Sequence, residues 1–285
     1  MYSQEITRCH RAAIVIAVDQ SSSMNGRLEL DSISLTKAEA VTMVTGRLID
    51  ELILRSSRDN GYRHYYDIAL VGYSGERVYS LLGNELCFYP ITALAGRKVD
   101  KIPYTLYYNT LTAGTIGFKE KVSMWIKPHA EDATPMYKMI CKVTDMVRDW
   151  CEKEENRDSF PPIVFNITDG ETSDATDEML IEASERLKAT STTDGNTLFV
   201  NIHLSSNLTH PQMMFPTTRE IPFGVRYAQL LIEMSSVLPS QFDRFVSECR
   251  SVHGSAPYVA MSYNSSIAEL IAMLSIGSRS VKIGL

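Results

Sequence analysis

Residues 12–26, AAIVIAVDQSSSMNG, decide the fold class of this chain. Ala12–Val18 is a continuous apolar run rich in Ile and Val, which is typical of a strand covered on both faces in the middle of a parallel sheet. The run ends at Asp19, and a short polar segment follows. Because open α/β sheets bind ligands beyond the carboxyl ends of their strands, this polar segment is also the first candidate for a functional site.

The alternation of strand and helix continues along the chain. A capping box formed by Thr36 and Glu39 predicts a helix that runs to about Leu54. Further strands are predicted at Asp67–Tyr73, Arg77–Leu82, Ile163–Thr168, Thr197–Leu204 and Tyr258–Met261, and further helices at Met136–Trp150, Leu180–Leu187, Tyr227–Leu238, Ser240–Cys249 and Ser266–Leu274. This order predicts a Rossmann-like α/β fold, doubly wound, with a mostly parallel central sheet and helices on both faces.

The domain organisation follows from the same pattern. We predict a single domain over residues 1–285, with a core at about 11–205 and a carboxy-terminal strand and helices at about 225–279. Residues 85–133, which are rich in Tyr, and 207–224, which hold three prolines, do not fit the alternation. Both are predicted to be loop-like additions, of a length that is often functional.

Composition excludes several classes of function. The formal charge of −6 provides no strong field for nucleic acid or an anionic membrane, so neither is expected as a partner. The five cysteines are scattered without a Cys-x-x-Cys pair, which argues against a zinc knuckle or a disulfide framework. Reduced thiols, and an amino-terminal apolar run too short for a leader or a membrane span, favour a cytoplasmic protein.

Three polar clusters with oxygen-bearing side chains lie at or near the carboxyl ends of predicted strands, and they are expected to converge in space. They are Asp19-Gln20-Ser21-Ser22-Ser23, Ala133-Thr134-Pro135 and Thr168-Asp169-Gly170. Because none of them contains Cys or His, they favour a hard cation such as Mg²⁺ or Mn²⁺ over Zn²⁺ or Cu²⁺. Two carboxylates would balance the charge of such an ion.

The pattern Asp19-x-Ser21-x-Ser23, with Thr134 and Asp169-Gly170 farther along, resembles the metal-ion-dependent adhesion site of von Willebrand factor A (vWA) domains. The resemblance covers about Ala12 to Leu204 and implies that Ser21, Ser23 and Thr134 supply hydroxyl ligands. Asp19 and Asp169 would hold the ion directly or through water. The expected cofactor is Mg²⁺, with Mn²⁺ or Ca²⁺ as alternatives, and one coordination position stays open.

This resemblance implies a module that binds a protein partner and not an enzyme. An Asp or Glu of the partner would complete the coordination of the ion. The carboxy-terminal segments Met234–Pro239, Tyr263-Asn264 and 274–279 resemble small stand-alone bacterial vWA proteins of the tellurite-resistance and stress-response type. The expected setting is therefore a bacterial stress, signalling or defence system, in which a phosphatase or a kinase is a candidate partner.

Two other classes of function stay open from the sequence. A haloacid-dehalogenase phosphatase also places an Asp after the first strand, but its second Asp, the general acid, is replaced here by Ser21. Ser74 approaches a nucleophile elbow but lacks the last glycine, since Glu76 stands there. The second of these classes is a structural scaffold in which the metal only stabilises the fold.

Overall fold

A mixed sheet of eight strands forms the centre of the protein. The structure is a computed structural model and describes residues 2–30, 33–110, 114–170, 172–204, 213–217, 219–220, 226–250 and 257–264. The strands are β1 Ala12–Asp19, β2 Arg27–Leu30, β3 Ile33–Thr36, β4 Ser57–Arg58, β5 Gly61–Tyr62, β6 Tyr66–Ser74, β7 Arg77–Ser80, β8 Tyr89–Pro90, β9 Lys101–Thr110, β10 Gly114–Ser123, β11 Phe160–Thr168, β12 Ser191–Thr192, β13 Gly195–Asn196, β14 Leu198–His203, β15 Met213–Met214 and β16 Met261–Tyr263. The α-helices are α1 Lys37–Ser56, α2 Ile91–Ala95, α3 Met136–Cys151, α4 Asp177–Ala189, α5 Arg226–Met234 and α6 Asp243–Arg250.

The central sheet has the order β15-β16-β14-β11-β1-β6-β7, and β8 also pairs with β6. The pairs from β16 through β14, β11 and β1 to β6 are parallel, while β15, β7 and β8 are antiparallel additions. The strand predicted from the apolar run thus lies inside the parallel part, with β11 on one side and β6 on the other. The predicted α/β class, mostly parallel and covered by helices, is confirmed.

Alternate residues of β1 face opposite layers of the core. One layer contains the side chains of Ile14 and Ile16 together with α1, α2 and α6. The other contains Val15 and Ala17 together with α3, α4 and α5. Because both faces are covered, β1 is buried along its whole length, which explains why its sequence is continuously apolar instead of alternating.

The amino terminus of α1 has the predicted capping box. The Thr36 hydroxyl accepts the Glu39 N–H at 3.1 Å, and the Glu39 carboxylate accepts the Thr36 N–H at 2.8 Å. These two bonds satisfy backbone donors that the first turn of a helix leaves free. The helix begins at Lys37 in consequence, which fixes this lysine beside the polar loop that follows β1.

Strand β11 begins earlier than predicted, at Phe160, and includes Pro161 and Pro162. Proline cannot donate to a strand ladder, so it is expected at edges, strand starts or bulges. The register of β11 against β1 shifts between Phe160 and Ile163, and pairing with β14 begins only at Ile163. The irregular register accommodates the prolines at the start of an otherwise central strand.

The loop-like character predicted for residues 85–133 is wrong. This segment contains β8, α2 and a hairpin of two ten-residue strands, β9 and β10. The short hairpin of β2 and β3, between the polar loop and α1, was not predicted either. Both hairpins lie outside the central sheet, so the strand–helix alternation contains no sign of them.

Three carboxy-terminal predictions differ from the structure or fall outside it. Helix α5 ends at Met234 instead of Leu238, and the last sheet strand is Met261–Tyr263, slightly later than predicted. The helix predicted at Ser266–Leu274 lies outside the described residues, as does most of 207–224. Within the described ranges, no helix combines the length and the apolar character needed to cross a membrane.

The β9–β10 hairpin is anchored to α1 at its base. The Asp50 carboxylate accepts the Ser123 N–H at 3.2 Å and the Trp125 indole N–H at 3.2 Å. Gly46, one helical turn earlier, allows a close approach, because a Cβ there would lie 2.2 Å from the backbone oxygen of Ser123. No side chain fits at that position without a shift of the hairpin.

We therefore expect Gly46→Val to lower the free energy of unfolding by about 1–3 kcal/mol, the usual cost of overpacking. Urea unfolding followed by circular dichroism measures the change. The control is Leu54→Val on the same helix, where the side chain is 73% exposed and the expected change is within about 0.5 kcal/mol. Equal stability of the two variants would contradict the close packing of hairpin and helix.

A chain of buried polar side chains crosses the sheet below the polar loops. The Tyr73 hydroxyl donates to Asn166 Oδ1 at 2.7 Å, and Asn166 Nδ2 donates to Asn201 Oδ1 at 2.9 Å. Asn201 Nδ2 then donates to the Ser235 hydroxyl at 3.0 Å. All four residues are buried, and these hydrogen bonds connect β6, β11, β14 and the end of α5.

Candidate metal centre

Asp19 is the last residue of β1 and is fully buried. Its Oδ1 accepts the Ser21 N–H at 2.9 Å, which is the hydrogen bond of an Asx turn, and its Oδ2 accepts the Thr168 hydroxyl at 2.7 Å. Thr168 is the last residue of the neighbouring strand β11. The two bonds fix the carboxylate between the ends of adjacent parallel strands, as the topology predicts.

Ser21 and Ser23 have their hydroxyl oxygens 3.0 Å apart. A short 3₁₀ helix at Ser22–Asn25 follows Ser21, and it returns the chain so that the first and third serines of the loop meet. Met24 is completely buried and anchors the loop to the core, while Ser22 is exposed. The hydroxyls of Ser21 and Ser23, the two predicted ligands, therefore lie together, while the side chain of Ser22 points to solvent.

Thr134 reaches the site through backbone contacts of its segment. The Ser22 N–H donates to the Asp132 carbonyl at 2.9 Å, two residues before Thr134. On the other side, the Thr134 N–H donates to the Ser173 hydroxyl at 3.0 Å, and the Ser173 N–H donates to the Thr134 carbonyl at 3.0 Å. The segment is thus held between the loop after β1 and the loop after β11, with Thr134 buried.

Asp169 directly follows β11 and forms a buried ion pair that the sequence did not predict. Lys37 Nζ lies 3.0 Å from Asp169 Oδ2, and the two side chains are 9% and 6% exposed. The other carboxylate oxygen, Oδ1, is buried and has no hydrogen-bond partner among the described residues. A buried carboxylate oxygen with no partner is costly unless a cation or water satisfies it.

Burial raises the pKa of the Asp19 carboxyl to about 6, because desolvation disfavours its charged form. Hydrogen bonds from Ser21 and Thr168 oppose this rise in pKa, and the charge of Asp169 adds to it. Repulsion by Asp169 is the smallest of these contributions to the pKa of Asp19. A bound cation would relieve both the desolvation and the repulsion.

His203, at the end of β14, packs beneath the same loops. Its ring stacks on Tyr263 with centroids 4.8 Å apart, and burial lowers the pKa of the imidazole to about 4. A Cβ on Gly170 would lie 3.0 Å from the His203 ring and 2.7 Å from Tyr227, and Gly170 has a φ of +92°. The glycine after Asp169 is therefore required both for its backbone conformation and for close packing.

The donor set fits a hard divalent cation. The described residues contain no group of three or more His, Cys, Asp or Glu side chains able to hold a metal, so an ion at this site depends on hydroxyl oxygens and water as well as the two carboxylates. Mg²⁺ suits such a set, since it usually keeps several waters and binds one or two carboxylates. Hydrogen bonds join Asp19, Ser21 and Ser23. Asp169 follows Thr168, which bonds Asp19, and Thr134 is positioned through the backbone contacts of its segment. The role of the five residues as ligands stays a prediction.

Sequence reasoning missed Lys37 and Ser173. Lys37 follows the capping residue of α1, but no local pattern indicates that its ammonium is buried against a carboxylate 132 positions away. Ser173 lies shortly after the Asp169-Gly170 pair, and its hydroxyl positions the Thr134 backbone. Thr168 belongs to the predicted cluster Thr168-Asp169-Gly170, but its hydrogen bond to Asp19 is visible only in the structure.

The sequence matches no protein-family model and no curated protein. Among solved structures, the chain is similar to the pilus adhesin SpaC of Lactobacillus rhamnosus GG, with a TM-score of 0.53 and 10% identity over 97% of this chain and 30% of the other. It is also similar to manganese-loaded TRAP of Plasmodium vivax, with a TM-score of 0.41 and 14% identity over 93% of this chain and 72% of the other. A third similar structure is the vWF domain of the pilus tip protein Mfa5 of Porphyromonas gingivalis, with a TM-score of 0.33 and 13% identity over 57% of this chain and 39% of the other.

The chain spans less than a third of the SpaC structure, so the activity of that whole protein does not transfer to it. At such low identities the likeness is one of fold. The likeness to SpaC agrees with the α/β fold that the sheet order of this chain shows.

Proposed function

We propose that this protein is a metal-dependent protein-interaction module. It binds a divalent cation, expected to be Mg²⁺, and a carboxylate of a partner protein completes the coordination of this ion. Asp19, Ser21, Ser23, Thr134 and Asp169 would hold the ion. The observation that carries the proposal is the buried Asp169 Oδ1 without a partner, beside the hydrogen-bonded group of Asp19, Ser21 and Ser23. Fold alone does not define function, so the proposal rests on this site.

The charge of the site supports an anionic partner group. Two carboxylates and the Lys37 ammonium leave one net negative charge at the site. A divalent cation changes this to one net positive charge in a largely buried setting. Because hydroxyl ligands are neutral, they leave the ion electrophilic, and a partner Asp or Glu then neutralises the excess.

The residues of the chain would orient and hold the ion. Thr168 and the Ser21 N–H fix the Asp19 carboxylate, while Lys37 fixes Asp169 through Oδ2 and leaves Oδ1 for the ion. The Ser173 contacts hold the Thr134 segment in place. A site held in this way before binding loses little conformational entropy when the partner arrives.

Metal binding is tested first by thermal and urea unfolding in Mg²⁺ and in EDTA. We expect Mg²⁺ at a hundred times its Kd to raise the free energy of unfolding by about 2.7 kcal/mol, reversibly. Asp169→Asn should abolish this effect. The control Asp145→Asn, on the exposed surface of α3 with a side chain 65% exposed, should preserve it. An unfolding midpoint that is the same in Mg²⁺ and EDTA for the wild-type protein would contradict the proposal.

Partner binding is tested by a pull-down with and without Mg²⁺, using the wild-type protein and Asp169→Asn. The expected result is a partner that is lost both in EDTA and in the variant. Turnover of a phosphoester that Asp19→Ala abolishes would support the phosphatase class instead. Unchanged partner binding in a less stable Asp19→Ala protein would support the structural scaffold.

The cellular setting belongs to the same proposal. The carboxy-terminal resemblance stated above leads us to propose a bacterial stress, signalling or defence system in the cytoplasm, with a phosphatase or a kinase as the partner. Genomic neighbours of the coding sequence test this setting. Neighbours that encode neither enzyme would contradict it without affecting the metal site.

A further inference from the structure

A cleft of about 590 Å³ opens beside the candidate metal centre. One wall is the edge strand β7, including Arg77 and Tyr79. The other walls are the 127–129 segment, with Lys127 and His129, and the face of α3 that carries Lys142. The cleft thus lies between the free edge of the central sheet and the helix that begins two residues after Thr134.

The floor of this cleft is continuous with the metal loop. Gln20, which lies between the predicted ligands Asp19 and Ser21, lines the cleft and is 3% exposed. Its side-chain oxygen accepts the Tyr79 hydroxyl at 2.7 Å, and its backbone oxygen accepts the Glu131 N–H at 2.8 Å. The cleft therefore adjoins the loop that carries Asp19 and Ser21.

The cleft is basic although the chain is acidic overall. Arg77, Lys127 and Lys142 are exposed, and none of them forms an ion pair with a carboxylate in the part of the chain that the structure describes. Glu76 is the acidic residue of the lining. Three unpaired cations around one cleft, in a protein of net charge −6, indicate a local surface that attracts anions.

We propose that this cleft binds an acidic, extended segment of the partner protein. The inference rests on the proposed function: one carboxylate of the segment completes the cation, and further acidic side chains contact Lys127, Arg77 and Lys142. From the start of α3 at Met136 to Lys142 the helix rises about 9 Å. An extended chain covers this distance in about three residues, so the recognised segment has acidic residues within about three positions of the metal-bound one.

The test uses the full chain and a fluorescein-labelled deca-glutamate peptide, with deca-glutamine as the uncharged reference. Fluorescence anisotropy in Mg²⁺ and in EDTA measures the affinity. The cleft variant is Lys127→Glu/Lys142→Glu. The matched control is Lys98→Glu/Lys153→Glu, which makes the same change in net charge at exposed lysines outside the cleft lining.

We expect the wild-type protein to bind deca-glutamate more tightly than deca-glutamine, with a further gain in Mg²⁺. The cleft variant should bind deca-glutamate about tenfold more weakly, because two exposed ion pairs with the peptide are lost. The control variant should stay within about twofold. The Mg²⁺-dependent rise in unfolding free energy should be the same in all three proteins, which shows that they are folded and that the metal site is intact.

The outcomes separate the two proposals. Equal deca-glutamate affinity of the cleft and control variants, or no preference of the wild-type protein for deca-glutamate over deca-glutamine, overturns the cleft proposal. If the cleft variant is weakened but EDTA and Asp169→Asn have no effect on peptide binding, the metal-dependent function fails, and with it the metal-bound carboxylate of the segment.

Discussion

In EDTA, the free energy of unfolding of the variant Lys37→Met is expected to be about 3–5 kcal/mol lower than that of the wild-type protein. The reason is the burial of its partner, since the side chains of Lys37 and Asp169 are only 9% and 6% exposed. Loss of the ammonium leaves a buried carboxylate without compensation. The measurement is urea unfolding, in which the midpoint should fall while the slope stays constant.

Two controls define the origin of this loss. The double variant Lys37→Met/Asp169→Asn removes both charges and should recover most of the stability, because the uncompensated charge is the source of the cost. Arg148→Met breaks an exposed pair with Asp145, with side chains 50% and 65% exposed, and should cost less than about 1 kcal/mol. A Lys37→Met protein as stable as Arg148→Met would show that the buried pair does not contribute as inferred.

The second large effect is expected for Asn166→Val, in the buried polar chain below the site. This change removes the acceptor of the Tyr73 hydroxyl and the donor to Asn201 Oδ1. Each buried group without a partner costs about 1–3 kcal/mol, so the unfolding free energy should fall by roughly 2–6 kcal/mol. Urea unfolding again provides the measurement.

The matched variant is Tyr73→Phe/Asn166→Val, which removes the hydroxyl together with its acceptor. It should be more stable than Asn166→Val alone, because one orphaned group is gone. If adding Tyr73→Phe to Asn166→Val lowers the unfolding free energy by as much as Tyr73→Phe does alone, the two residues are independent. The hydrogen bond between them then contributes nothing to stability.

The central architecture was predictable because it depends on local patterns. A strand buried on both faces is mostly apolar; Ala12–Val18 is apolar throughout, and Ile163–Thr168 is apolar except at Asn166 and Thr168. Parallel strands end at the same edge of a sheet, so the polar residues that follow Val18 and Ile167 had to lie near each other. That Asp19 and Thr168 are neighbours follows from that rule, whereas the hydrogen bond between them is visible only in the structure.

The hairpins and the ion pair of the site were not predictable in this way. Residues 101–123 contain many residues with β propensity, but they pair with each other and not with the central sheet, so the periodicity of the core does not include them. Lys37 follows a clear helix cap, yet its burial depends on where Asp169 lies after folding. Long-range electrostatic contacts leave no trace in local sequence spacing.

The position of β1 has a consequence for how the protein is made. Strand β1 can pair with β6 early, but its other neighbour, β11, is far along the chain. Until Phe160–Thr168 is synthesised, one edge of a fully apolar strand stays unpaired. Such edges promote aggregation, and parallel pairing over long separations is slow. The nascent chain is therefore expected to depend on chaperones between the synthesis of β1 and that of β11.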